Sequence, residues 1–258
     1  MDKKFYTLIT GGTKGIGFEL AKLFAKDLEN LILVARNEEE LKKTREFLIE
    51  KYNIEVLAIS LDLSVENSIY KLIKFVEENN FIVDKLINNA GVGDFGCFND
   101  TDIEKDKNLI DINIVALTNL TKYFLKGMVE RKGGGVLNVA STAAFVGGPK
   151  MSIYYSSKAY VLTLTEAIHE EVKDKNIKVS CLCPGPVKTT FQERAGIKKS
   201  EKAKKYLMDA KDVAKEGYEG FNINKAIIIP GFKNKLMYFG TKILPRGIIR
   251  KIIFATNK

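Results

Sequence analysis

Phe5-Tyr6-Thr7-Leu8-Ile9-Thr10-Gly11-Gly12-Thr13-Lys14-Gly15-Ile16-Gly17-Phe18 sets the reading of the whole chain. Six residues of strand-forming character run into a glycine-rich turn, and an amphipathic helix over 18–27 follows. Gly11, Gly15 and Gly17 are spaced Gly-x-x-x-Gly-x-Gly. Glycines at this spacing let the chain turn tightly and bring backbone N–H groups close to a pyrophosphate, whose charge the helix N-terminus favours. In isolation such a stretch is only a turn. Between the first strand and first helix of a βαβ unit, the span Gly11, Thr13, Lys14, Gly15, Ile16 and Gly17 reads as a dinucleotide cradle.

Outward from that turn, apolar runs at 31–35, 56–61, 85–88, 135–140, 178–183 and 225–229 alternate with helical patterns at 38–51, 65–78, 107–131 and 154–173. The alternation predicts an α/β fold, a doubly wound, Rossmann-like parallel sheet with helices on both faces. One domain over residues 1–231 is expected. Two stretches break the rhythm. A polar, lysine-rich insertion follows a strand's carboxyl end, where ligand crevices open, and predicts a lid over about 190–222. Residues 232–258 form a basic amphipathic segment expected to pack on the domain or at a subunit interface, burying Leu236, Phe239, Ile243, Ile249 and Phe254.

Hydrophobic residues make up 45% of the chain, enough for a core of ordinary density, which excludes disorder for most of its length. The net charge is +9, unevenly spread: residues 1–191 carry 25 basic and 26 acidic side chains, residues 192–258 carry 16 and 6. No run of about 18 to 20 apolar residues offers a membrane span, and no signal-peptide hydrophobic region precedes the first strand. Cys97, Cys181 and Cys183 lack metal-ligand spacing and read as buried small hydrophobes of a reducing compartment. A cytoplasmic protein without a metal is expected.

The residue after the second strand discriminates between dinucleotides. A carboxylate there accepts from the ribose 2′-hydroxyl of NAD, whereas a cation suits the 2′-phosphate of NADP. The chain has Arg36 and no carboxylate, with Lys14 as a second cation in the turn, so NADP(H) is expected. Tyr154 and Lys158 stand one helical turn apart and project from one face. An ammonium beside a phenol stabilises the phenolate and lowers its pKa toward working pH, giving an acid or base for proton transfer to oxygen. Taken alone, the pair is also an ordinary surface i,i+4 contact.

The glycine turn, Asn88-Asn89-Ala90-Gly91, Asn113, Ser141, Tyr154, Lys158 and Pro184-Gly185 occur in this order, and with them the chain resembles the short-chain dehydrogenase/reductase family over about residues 5–230. The resemblance implies roles. Tyr154 would be the acid/base, and Lys158 the group that lowers its pKa and binds the nicotinamide ribose. Ser141 would donate to the developing alkoxide. Asn113 would kink its helix and hold a relay water. Asp62 would accept from the adenine amino group with Leu63 supplying backbone. Asn89, Ala90 and Gly91 would line the adenine ribose, and Pro184, Gly185, Val187 and Thr189 the carboxamide and pyrophosphate. Tyr155 competes for the acid role but breaks the family spacing. The ending Ile227-Ile228-Ile229-Pro230-Gly231 lacks the glycine-rich close of the acyl-carrier-protein reductases, which speaks against fatty-acid elongation.

Gly93 to Phe98, Thr142 to Met151 and the segment after Val187 should form the substrate pocket, with Phe95, Phe98, Phe145, Met151 and Phe191 making it largely apolar and no charged anchor evident. That suits a small lipophilic ketone, aldehyde, steroid or acyl substrate. His169, the only histidine, lies along a helix, and without a Gly-x-Ser-x-Gly elbow a hydrolase is disfavoured. A dinucleotide-sensing regulator without turnover is an alternative, as is a lipid-modifying reductase at a membrane surface. The basic tail permits weak membrane-surface contact; no nucleic-acid module is present. A homodimer or homotetramer is expected.

Overall fold

The computed structural model describes residues 4–197 and 207–256. Seven parallel strands form one sheet in the order β3-β2-β1-β4-β5-β6-β7. They are β1 (Phe5–Thr10), β2 (Asn30–Ala35), β3 (Val56–Ser60), β4 (Ile82–Asn88), β5 (Gly135–Val139), β6 (Lys178–Leu182) and β7 (Ile227–Ile228). Helices α1 (Gly15–Lys26) and α2 (Glu38–Tyr52) follow β1 and β2, and α3 (Ser68–Glu78) follows β3. After β4 come α4 (Ile103–Ile110) and α5 (Leu117–Arg131), joined through wide π-type turns at Asp111–Ala116. Then follow α6 (Ser152–Val172), the short α7 (Phe191–Arg194), α8 (Ala210–Asn222), α9 (Phe232–Ile243) and α10 (Arg246–Thr256).

Alternation along the strands explains the two cores. Leu31 and Leu33 of β2 pack with Leu20, Phe24 and Leu48 on one face, while Ile32 and Val34 pack with Leu72, Leu120 and Phe124 on the other. Because helices cover both faces, the central strands are continuous apolar runs rather than alternating ones. The chain reverses its winding between β1 and β4, so a crevice opens beyond their carboxyl ends, as in doubly wound sheets generally.

Three expectations about organisation are revised. Of the stretch read as a lid, residues 198–206 lie outside the described residues, and 210–222 is a core helix: Val213, Ala214 and Phe221 of α8 are fully buried. The expected helix over 107–131 starts earlier, at Ile103, with the Asp102 side chain accepting from the Glu104 N–H. Cys97 is exposed; Cys181 and Cys183 are buried on one face of β6, their sulfurs 3.7 Å apart.

Candidate active site

The turn after β1 needs its glycines for different reasons. Gly11 has φ +67°, a conformation that costs residues bearing a Cβ. At Gly17 the limit is space, since a Cβ would lie 2.3 Å from both Asn89 Nδ2 and Gly11 O. Asn89 Nδ2 donates to Thr10 O at 3.1 Å and Gly11 O at 3.0 Å, and Thr10 Oγ1 accepts from the N–H groups of Asn89 and Ala90. These bonds clamp the ends of β1 and β4 together. Thr10 was not singled out from the sequence, where only its place before Gly11 marks it. A Cβ on Gly15 would meet Thr189 Cγ2 at 2.9 Å, which puts the segment running from Pro184 through Gly185 and Val187 to Thr189 beside the turn. Ile16 is in the first turn of α1, which contains no acidic residue. The free N–H groups of that turn fit a pyrophosphate.

At the rim, Arg36 Nη1 lies 3.6 Å from Asp62 Oδ2, both partly exposed. Burial, the largest influence on Asp62, raises its pKa, but hydrogen bonds from Ser64 and the Arg36 charge outweigh it and hold the carboxyl below its usual value. Leu63 follows, lining a recess with Thr10 and Ala90. Lys14, expected as a second phosphate ligand, is paired with Glu40 at the start of α2. The sequence reading of the rim left out Glu40.

Deeper in, β5 delivers Ser141, and α6 delivers Tyr154 and Lys158. Ser141 Oγ accepts from the Ala143 N–H at 3.1 Å, donates to Pro184 O at 3.4 Å, and lies near enough to the Tyr154 phenol to pull its pKa down. Lys158 is 4% exposed and donates to Val139 O at 2.9 Å, with its Nζ 5.9 Å from the Tyr154 ring centroid. Burial pushes the Tyr154 phenol up to about 12, against the downward pull of the Ser141 hydrogen bond. Burial also pushes Lys158 down to about 8, opposed by Cys181 and Cys183. Desolvation decides the direction of the shift for both side chains. A phenol near 12 is protonated at neutral pH, the form a proton donor requires.

Asn113 sits in the π-type turns, 1% exposed. Its Oδ1 accepts from Val92 N–H, and its Nδ2 donates to Val92 O and to Ser157 Oγ. A Cβ on Gly91 would meet Lys158 Nζ at 3.2 Å and Asn113 Oδ1 at 3.3 Å, so Gly91 packs closely against both side chains. Tyr154 lies beside Ser141.

Beside Tyr154 a small cleft is lined by Asp94, Phe98, Thr101, Asp106, Lys150 and Met151. The charged side chains of Asp94, Asp106 and Lys150 stand there among apolar Phe98, Leu109, Met151 and Ile153. Phe191 packs on the Tyr154 ring at 5.4 Å, and Phe145 is covered by Tyr238.

The profile of the short chain dehydrogenases matches residues 6–200. A very-long-chain 3-oxoacyl-CoA reductase of Rattus norvegicus is 31% identical over 98% of this chain and 80% of its own length. A 3-oxoacyl-[acyl-carrier-protein] reductase of Chlamydia muridarum is 31% identical over 70% of this chain and 73% of its own. Among solved structures, a short-chain dehydrogenase from Sphingobium yanoikuyae in complex with NADPH superposes with a TM-score of 0.83 at 27% identity, covering 95% of this chain and 94% of that one. The chain belongs to the short-chain dehydrogenase family, and so is an oxidoreductase of the C=O/CH–OH couple that uses a nicotinamide dinucleotide.

Proposed function

We propose that this protein is an NADP(H)-dependent reductase of a carbonyl on a lipophilic substrate, with an acyl chain the class its relatives' names favour. The convergence of Ser141, Tyr154 and Lys158 beside one cleft carries the reading. When bound, the reduced nicotinamide supplies a hydride to the carbonyl carbon. Tyr154 donates its phenolic proton to the carbonyl oxygen. Ser141 donates a hydrogen bond to the same oxygen as negative charge grows there. Lys158, charged below about pH 8, stabilises the phenolate that Tyr154 becomes. Asn113 fixes the Val92 peptide and Ser157, and through them the backbone beside Lys158.

The proposed cofactor ligands are Gly11, Thr13, Lys14, Gly15, Ile16 and Gly17 at the pyrophosphate, and Asp62, Leu63, Asn89, Ala90 and Gly91 at the adenosine. Pro184, Gly185, Val187 and Thr189 would hold the carboxamide end. Arg36 and Lys14 would take the 2′-phosphate. Glu40 competes for Lys14, but an exposed ion pair contributes only about 0.2–1 kcal/mol. A charge-assisted bond to phosphate contributes about 1.5–3 kcal/mol, so phosphate wins.

The test is a panel of long-chain 3-oxoacyl thioesters, steroid ketones and small aldehydes, followed by oxidation of NADPH and NADH. The reading expects turnover with NADPH and rising efficiency with chain length. Cofactor binding without turnover on any member would favour a dinucleotide-sensing regulator instead.

A further inference from the structure

Helices α9 and α10 carry an apolar stripe that faces away from the body. On α9, Phe232, Leu236, Phe239 and Ile243 recur at i, i+4, i+7 and i+11, which is one helix face. They are 79%, 63%, 61% and 82% exposed. The opposite face is the one that docks. Asn234 donates to Pro230 O at 2.7 Å and packs against Gly185, while Tyr238 meets the Phe145 ring with centroids 4.6 Å apart. The stripe is therefore not waiting for the body, which already holds the other side of the helix. On α10, Ile248 and Ile252 are also exposed, while Ile249 is buried. Bulky apolar side chains left exposed along one helix face mark an interaction surface.

Charge selects the occupant. From Phe221 to the last residue there are eight Lys or Arg and no Asp or Glu. Lys242, Arg246, Arg250 and Lys251 are exposed on the same two helices. A second copy presenting this face in a two-fold pair would set like charge against like. Bulky apolar side chains on helices that carry exposed cations and no acids complement an anionic bilayer, where the apolar groups enter the headgroup–acyl boundary and the cations meet lipid phosphates. No helix among the described residues is long and apolar enough to cross a membrane, which leaves the surface mode.

We infer that α9 and α10 form an interfacial docking surface for anionic lipid. Tyr238 touches Phe145, four residues beyond Ser141, so the surface adjoins the candidate active site. Delivery of a lipid-borne carbonyl from the bilayer to the cleft would follow, and that consequence alone rests on the reductase reading.

The test sediments the full-length protein with vesicles of phosphatidylcholine alone or mixed with phosphatidylglycerol, at low and high salt. Partitioning onto the anionic vesicles only, reversed by salt, is expected. Leu236→Ser with Phe239→Ser should weaken it at least about tenfold, since apolar burial scales with area. Both side chains are exposed, so the thermal melt should stay unchanged. Each cation contributes roughly fivefold near such a surface, so the triple change Lys242→Gln, Arg246→Gln, Lys251→Gln should weaken partitioning by about a hundredfold. Protein that stays in the supernatant with both vesicle types overturns the inference. So does a serine variant that halves the assembly size in solution, which would make a second copy the occupant. Binding that needs the cations but is indifferent to the serine changes would point to a general polyanion surface and also overturns it.

Discussion

Lys158→Met should stabilise the protein while abolishing turnover. The lysine is 4% exposed, and its pKa falls from 10.5 to about 8 through burial. At roughly 1.36 kcal/mol per unit, holding that ammonium in the fold costs about 3 kcal/mol near neutral pH. Methionine keeps an unbranched stem in the same space but leaves Val139 O without its donor, a loss of about 1 kcal/mol. The net gain is about 2 kcal/mol, a rise in Tm on the order of 5 °C for a chain of this size. The pH dependence separates the two contributions. The folded pKa lies below the unfolded one, so above about pH 8 the unfolded state binds more protons, and the wild type gains stability with rising pH. Urea unfolding of both proteins from about pH 7 to pH 10 should show the wild type recovering about 2.5 kcal/mol relative to the variant. A stability difference that stays constant over that range would refute the reasoning, because it would mean the lysine carries no depressed pKa in the fold.

Arg36→Asp should reverse cofactor order from NADPH to NADH, read by titrating each cofactor; unchanged preference would remove Arg36 from the phosphate site. Glu40→Gln frees Lys14 from its ion pair and should raise NADPH affinity by up to about fivefold, without effect on NADH. The rate of carbonyl reduction should fall as pH rises past about 8, where Lys158 loses its charge; a profile flat to pH 10 would separate that charge from the rate.

The sheet was legible because both faces of it are covered, which makes its strands unbroken apolar runs bounded by turn residues. Helix α8 was not. Its inward face is Val213, Ala214, Gly217, Gly220 and Phe221; a Cβ on Gly217 would meet Leu182 at 2.8 Å and one on Gly220 would meet Ile228 at 2.7 Å. Close helix–sheet approach is built there from glycine and alanine, which hydropathy does not flag in a lysine-rich stretch. The π-type turns at Asp111–Ala116 were equally hidden, since Asp-Ile-Asn-Ile-Val-Ala has ordinary helix composition. At the C-terminus, a count of apolar residues told that Leu236, Phe239 and Ile243 need cover, but only the docking of Asn234 and Tyr238 shows that the body does not supply it. The residues around the crevice were named from motif order, and the structure brings Ser141, Tyr154 and Lys158 together. Sequence spacing reports the proximity of Tyr154 to a charge and says nothing of the burial that raises its pKa.

Turnover of Tyr154→Phe with NADPH and a carbonyl substrate accepted by the wild type, measured beside its NADPH affinity, tests the central claim most directly. The account predicts that nearly all turnover is lost while cofactor affinity stays within about twofold, because the phenol acts on the substrate oxygen and general acid catalysis contributes about 10²–10⁴-fold. Wild-type turnover in that variant would contradict it.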